Sequence, residues 1–304
     1  MSSISVPPAA NDQVLSNPTW IGLAAIPLWA LTPVFIVLLG AQAAFGLLAV
    51  RFLISGGVLS AIALIQGQSL WRQFYQPWGL WALSLGGILF SQWIYILALQ
   101  HAPAAEANFI NYLWPMYLMI FSALLGGEKV PGAKIFAILI AFAGAAVIML
   151  GERGLQLSAE YNFGYALALL AGFSWAVYSL CLRRFYQHRG NTILGGPFLL
   201  YAAICYAAHV LLGEPELHFT AEQWVYAVAF GLVPMGYVFW EHGMRHGQVP
   251  YLALGAYFIP LLSAICLHIL TGHDWTWSLL LGGGMIVMAP VLAHIAATRT
   301  PSAH

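Results

Sequence analysis

The chain has 304 residues, of which 61% are hydrophobic and 7% charged, with ten Lys and Arg balanced by ten Asp and Glu. A soluble domain runs at roughly 25% charged residues, so this composition excludes one and predicts a membrane protein. The zero net charge offers no electrostatic reason for nucleic acid to be a partner.

Residues 1–18 contain Pro7, Pro8, Asn11, Asp12 and Asn17 but no Lys or Arg. The charged start of a cleavable signal is missing, and a disordered tail is expected. Ten apolar runs then follow, at about 19–39, 43–66, 78–100, 103–126, 132–150, 161–183, 192–213, 221–244, 249–271 and 276–297. Each is close to the ~20 residues that cross a bilayer as a helix. The runs are continuous and rich in Leu, Ala and Gly, unlike the strictly alternating segments of about ten residues that build a membrane β-barrel.

Span 1 carries Trp29 and span 2 carries Arg51. An intramembrane charge is costly and points to function. Arg51 could hold a substrate carboxylate, and pairing with a carbonyl or a neighbouring helix is an equal alternative. Span 3 places Gln92 and Tyr95 three residues apart, on one helical face. Span 4 contains "NFINYLWP", in which Asn108, Asn111, Tyr112 and Pro115 recur at i, i+3, i+4 and i+7. Lipid cannot satisfy an amide, so that face is expected to look inward. Its amides and hydroxyl suit a ligand with a zwitterionic head and a flat side chain, or else bond to neighbouring helices. Glu106, near the start of this span, and Glu241, in span 8, are expected to lie close enough to span ends to reach the interface.

Gly132 and Gly144 in span 5 would serve a homodimer or close packing within one chain. Span 6 carries Trp175 and Tyr178, span 8 Trp240, and span 9 Tyr257 with Pro260. Cys181, Cys205 and Cys266 are scattered and read as core filler. His242 and His246 have helical metal-site spacing but no supporting third ligand, so no metal site is expected. Trp71, Trp78 and Trp275, near span ends, read as an interfacial belt. No GxSxG elbow or Walker loop occurs, which argues against an enzyme or an ATP-driven pump, and no cofactor is implied.

"HAPAAEANFINYLWP" at His101–Pro115 aligns with "HGQVPYLALGAYFIP" at His246–Pro260, an offset of 145 (246 − 101). That shift takes Tyr112 to Tyr257 and Tyr95 to Trp240, and a shift of 146 takes Trp29 to Trp175. The expected architecture is therefore all-α, with a first five-helix repeat at 19–150, a linker at 151–160, a second repeat at 161–297 and a tail at 298–304. Five is odd, so the second repeat enters the membrane from the opposite side. Two inverted halves can expose one central site to either face in turn, with Pro115 and Pro260 as paired hinges. With both termini cytoplasmic, Arg72, Lys129, Lys134, Arg183, Arg184, Arg189, Arg245 and Arg299 all fall in cytoplasmic segments.

Pro103, Pro115, "LLGGE" at Leu124–Glu128, Gly132 and Gly144, echoed around Pro260 and Gly272, resemble the two repeats of the drug/metabolite transporter superfamily, EamA branch. "INYLWP" at Ile110–Pro115 is similar to a segment of bacterial aromatic amino acid exporters. The resemblance implies ten helices in the cytoplasmic membrane, a central cavity lined by spans 1–4 and 6–9, and peripheral spans 5 and 10. It departs where His273 stands opposite Glu128. The resulting expectation is a secondary exporter of aromatic and other neutral amino acids. Trp29, Gln92, Tyr95, Asn108, Asn111, Tyr112, Trp175, Tyr178, Trp240 and Tyr257 would contact the substrate. The alternatives are a multidrug or other small-metabolite exporter and, further off, a membrane-embedded enzyme.

Overall fold

The computed structural model describes residues 17–40, 42–126, 132–151, 154–187, 194–271 and 275–299. Gly127, Glu128, Lys129, Arg189, Gly272 and His273 lie outside the described residues. Among the described residues the elements are helices joined by turns, without strands.

The first apolar run is three short helices, α1 (Asn17–Leu23), α2 (Ala25–Ala30) and α3 (Thr32–Leu39), rather than one rod. Pro27 and Pro33 each remove a backbone donor, and the interruptions fall at Ala24 and Leu31, two to three residues ahead of them. Next come α4 (Ala44–Ile65), the short α5 (Leu70–Phe74), and a column made of α6 (Trp78–Ser84), a π-helical turn at Leu85–Leu89 and α7 (Phe90–His101). Span 4 is split into α8 (Ala104–Asn111) and α9 (Trp114–Gly126), followed by α10 (Gly132–Leu150).

The second half repeats the plan with α11 (Asn162–Tyr186), α12 (Gly195–Leu211), α13 (Ala221–Leu232), α14 (Met235–His246), α15 (Val249–Ala256), α16 (Phe258–Thr271) and α17 (Trp277–Arg299). Six columns are long and apolar enough to cross a membrane, and α12 and the first part of α17 are shorter apolar helices. The runs at 103–126, 221–244 and 249–271 differ from expectation, because each is broken in its middle. Pro115 leaves the Asn111 carbonyl without its helical donor, and α8 ends there; Pro260 does the same to Ala256, where α15 ends.

Helix α9 packs on α15, and α1 packs on α14. In both cases the first part of one apolar run meets the second part of another, the arrangement that antiparallel runs would give. Large apolar side chains such as Leu53, Phe136, Phe163, Val225 and Leu281 are exposed around the outside, as bilayer contact requires. Trp71, Trp78 and Trp275 are also exposed. Helices α10 and α17 touch backbone to backbone at Gly144 and Gly282, where an added Cβ would come within 2.6 Å of the facing carbonyl oxygen. Close packing inside one chain thus accounts for Gly144, one of the two glycines that could have served a dimer.

Helix α4 lies along α12, and their junction is tied by Glu214, just beyond the end of α12. Its carboxylate accepts from the Phe45 and Gly46 amides at 3.1 Å and from His209 Nδ1 at 2.9 Å. An anion at the first turn of α4 also complements the helix dipole. Partial burial pushes this carboxyl up, but the His209, Phe45 and Gly46 hydrogen bonds outweigh it, and the group sits below the usual carboxylate range. A lowered folded value means stability that is present above the unfolded value, near 4.5, and is lost as pH falls through the lowered one. Thermal melts in detergent should therefore drop on acidification below about pH 4.5, and Glu214→Gln should flatten that drop. An unchanged acid limb in the variant would show that other carboxyls set it.

Candidate functional site

Three contacts join residues related by the sequence repeat. Gln92 Nε2 donates to Tyr237 Oη at 3.3 Å, and Tyr257 Oη donates to the Tyr112 carbonyl oxygen at 3.3 Å. Both pairs are 145 positions apart. Trp29 and Trp175, 146 apart (175 − 29), pack edge to face with centroids 5.7 Å apart. Residues exchanged by a twofold can touch only where the axis passes, so the pseudo-twofold runs through these pairs and marks the centre of the molecule.

Around the axis is an aromatic box. Trp240 lies 5.3 Å from Trp29, 5.5 Å from Trp114 and 6.2 Å from Trp175. Tyr237 lies 5.5 Å from Trp29 and 5.4 Å from Trp175. The Trp175–Trp240 pair is stacked and the others are tilted or edge-on, and tilted and edge-on pairs are ones that aromatic quadrupoles favour. Trp240 Nε1 donates to Ser179 Oγ at 3.0 Å, which satisfies the indole of a side chain that is 0% exposed.

The polar face of α8 adjoins the box. Tyr95 Oη donates to Asn108 Oδ1 at 2.8 Å, tying α7 to α8. Asn111 turns toward α11, with its carbonyl and side chain against Gly172. Trp29, Gln92, Tyr95, Asn108, Asn111 and Tyr112 are all partly open, whereas Trp175, Tyr178, Trp240 and Tyr257 are buried. The structure thus brings Trp29, Trp175, Tyr178 and Trp240 together in the box, sets Gln92 against Tyr237 and Tyr257 against Tyr112 on the axis, and sets Tyr95 against Asn108 on the face of α8. Trp114 and Tyr237 complete the set without having been anticipated. Trp114 stands in "INYLWP" beside the polar face, and Tyr237 is the repeat counterpart of Gln92.

One end of the bundle is sealed. Gly22 and Gly243 bring α1 and α14 into backbone contact, and Thr19 Oγ1 accepts from the Gln248 amide at 2.9 Å. Arg183 Nη1 donates to the Gly247 carbonyl at 2.7 Å. Here Glu241 overturns its expected place at the interface, because it is 4% exposed. Its carboxylate accepts from Tyr178 Oη and pairs with Arg245 Nη2 at 3.5 Å. The reason is that α1 and α11 cover α14, which distance along a span does not reveal. At the other end α8 packs on α7, α10 and α11, while α16 packs on α2, α3, α10 and α17. Among the described residues α8 and α16 make no contact there comparable to the one between α9 and α15.

Long apolar helices in two repeats that meet on an aromatic centre fit a multi-pass membrane protein of the transporter class. The chain belongs to the EamA-like transporter family, whose pattern matches it twice, at residues 18–150 and 162–294. It is 34% identical to the aromatic amino acid exporter YddG of Ancylobacter novellus over 93% of this chain and 99% of that one. It is 28% identical to the exporter of the same name from Escherichia coli over 71% and 78% of the two chains. The pseudopaline exporter CntI of Pseudomonas aeruginosa is 27% identical over 68% and 70%. A solved crystal structure superposes with a TM-score of 0.86 at 32% identity, covering 93% of this chain and 99% of that one.

Proposed function

We propose that this protein is a secondary exporter of aromatic and other neutral amino acids that works by alternating access in a bacterial cytoplasmic membrane. The observation that carries the reading is the aromatic box joined to the half-open amide and hydroxyl face on the pseudo-twofold axis. Flat side chains can stack on the box while a polar head meets Asn108, Tyr95 and Gln92. The relatives named aromatic amino acid exporters support the substrate class.

Ten spans arise when α8–α9 and α13–α14 are counted as broken crossings, in repeats at 19–150 and 161–297. Arg183 and Arg245 belong to the sealed end, Lys134 stacks on Tyr251 beside it, Arg184 is in the last turn of α11, and Arg72 is on the short helix α5. The excess of basic residues in cytoplasmic segments supports placing that end, and both termini, inside. The conformation described is then the one open to the exterior, and the breaks ahead of Pro115 and Pro260 are where the inverse opening would flex.

Uptake of labelled Phe, Trp, Tyr and Thr into proteoliposomes, beside a cationic drug, tests the reading. Selective movement of the amino acids supports it, and movement of the drug alone would replace it with a multidrug carrier. Asn108→Ala and Tyr112→Ala should each lower aromatic amino acid flux about tenfold, the loss of roughly one ligand hydrogen bond or ring contact. Normal flux in folded variants would assign the polar face to helix packing.

A further inference from the structure

Arg245 and Arg51 are both 5% exposed within the bundle. Arg245 is answered by Glu241. Among the described residues the Arg51 guanidinium has no acidic partner and makes no hydrogen bond, and its buried Nε has no acceptor. It lies over the Phe230 ring, 4.8 Å from the centroid, and within electrostatic reach of Tyr237. A buried, uncompensated charge is destabilising, so its retention calls for a return elsewhere.

A second donor nearby is also unanswered. Trp29 Nε1 is buried without an acceptor, and a Cβ added at Gly236 would stand 2.7 Å from it. Arg51 and Trp29 therefore both flank the Gly236–Tyr237 segment at the start of α14, and Gln92 adds its amide there by donating to Tyr237. The nearest acid along this helix, Glu241, is already held by Tyr178 and Arg245. The region is rich in donors and short of acceptors, beside the flat apolar faces of the box. That combination complements an anionic, two-oxygen group attached to an aromatic body.

We infer that Arg51, assisted by Trp29 Nε1, is the carboxylate subsite of the central site, so that the transported species must carry a carboxylate. The inference rests on the export reading above. It also fixes the substrate's direction, because the 145 offset places Gly196 opposite Arg51. The anion subsite exists once in an otherwise twofold site, and one ligand binds in one orientation. The competing role for Arg51 is structural, neutralising the carbonyl end of α13, where Ser55 Oγ already donates to the Gly231 oxygen.

The test is flux in vesicles of phosphatidylcholine alone, where no anionic headgroup can substitute for the ligand. Labelled tryptophan, tryptamine and indole-3-propionate are compared in the wild type, Arg51→Gln and Arg51→Lys. The wild type should carry tryptophan at least about tenfold faster than tryptamine, the factor expected for a lost charge-assisted hydrogen bond. Arg51→Gln should bring the two rates to within about twofold by slowing tryptophan, and Arg51→Lys should keep part of the preference. Equal wild-type rates for tryptophan and tryptamine would overturn the inference while leaving amino acid export standing. So would an Arg51→Gln protein that melts lower but keeps the full preference, the mark of a structural arginine. Movement of indole-3-propionate without tryptophan, abolished in Arg51→Gln, would uphold the carboxylate subsite and overturn the amino acid reading. If neither carboxylate moves, both fall. The wild-type ratio needs no variant, so a misfolded Arg51→Gln does not remove the test.

Discussion

Glu241→Ala is expected to destabilise the protein by about 3–5 kcal/mol, the usual result of removing one partner from a buried ion pair. The carboxylate is 4% exposed and serves both Arg245 and the Tyr178 hydroxyl. Its loss strips the guanidinium of this counter-charge and leaves the phenol short of its acceptor, in a place sealed from water by α1 and α11. Adding Arg245→Met should recover much of the loss, since an apolar replacement of the whole pair is often neutral. Glu241→Gln should fall between, keeping an acceptor for Tyr178 without the charge. Melting in detergent, followed by the fraction surviving size exclusion, reads all three. A single variant that melts with the wild type, or a double variant no better than the single, would remove the pair from the account of stability.

Trp240→Ala is expected to cost a similar ~3–5 kcal/mol and to abolish aromatic amino acid flux in whatever fraction folds. The indole is in contact with Trp29, Trp114 and Trp175 and is 0% exposed, so truncation opens a void that three other large rings must fill or tolerate. Trp240→Phe restores most of the volume but not the bond to Ser179, and should cost closer to 1 kcal/mol. Wild-type melting and flux in Trp240→Ala would show that the box is neither a core nor a site.

The repeat was legible because alignment at an offset of 145 or 146 needs only the chain, and the offset then singled out residues that touch across the axis. Trp29 with Trp175 and Tyr112 with Tyr257 were found in this way. The burial of Trp175 and Tyr257 was not, because it depends on which helices cover which face. Glu241 shows the limit. Its position along span 8 suggested the interface, but α1 folds over it, and nothing in the residues around Glu241 announces that cover. Tyr237 was missed for a related reason. The repeat pairs it with Gln92, an unlike side chain, and only the hydrogen bond between them reveals that both serve the axis. The prolines announced breaks in the helices, while the place of each break, a residue or more ahead of the ring, follows from the carbonyl the proline leaves behind.

The bond between Tyr178 and Glu241 has a consequence for the proposed cycle. Contacts on the pseudo-twofold map onto themselves when the halves exchange roles. Tyr257 donating to Tyr112 would become Tyr112 donating to Tyr257, at no net change. Off-axis contacts have no such guarantee. The ion pair lies within α14 and moves with that helix, but the bond from Tyr178 to Glu241 crosses from α11 to α14. The 145 offset carries Glu241 to Ile96 and Tyr178 to Pro33, so closure at the opposite end would have no such bond to replace it. In the proposed cycle the two end states would then differ in free energy through one hydroxyl and one carboxylate, rather than through the architecture the repeats share.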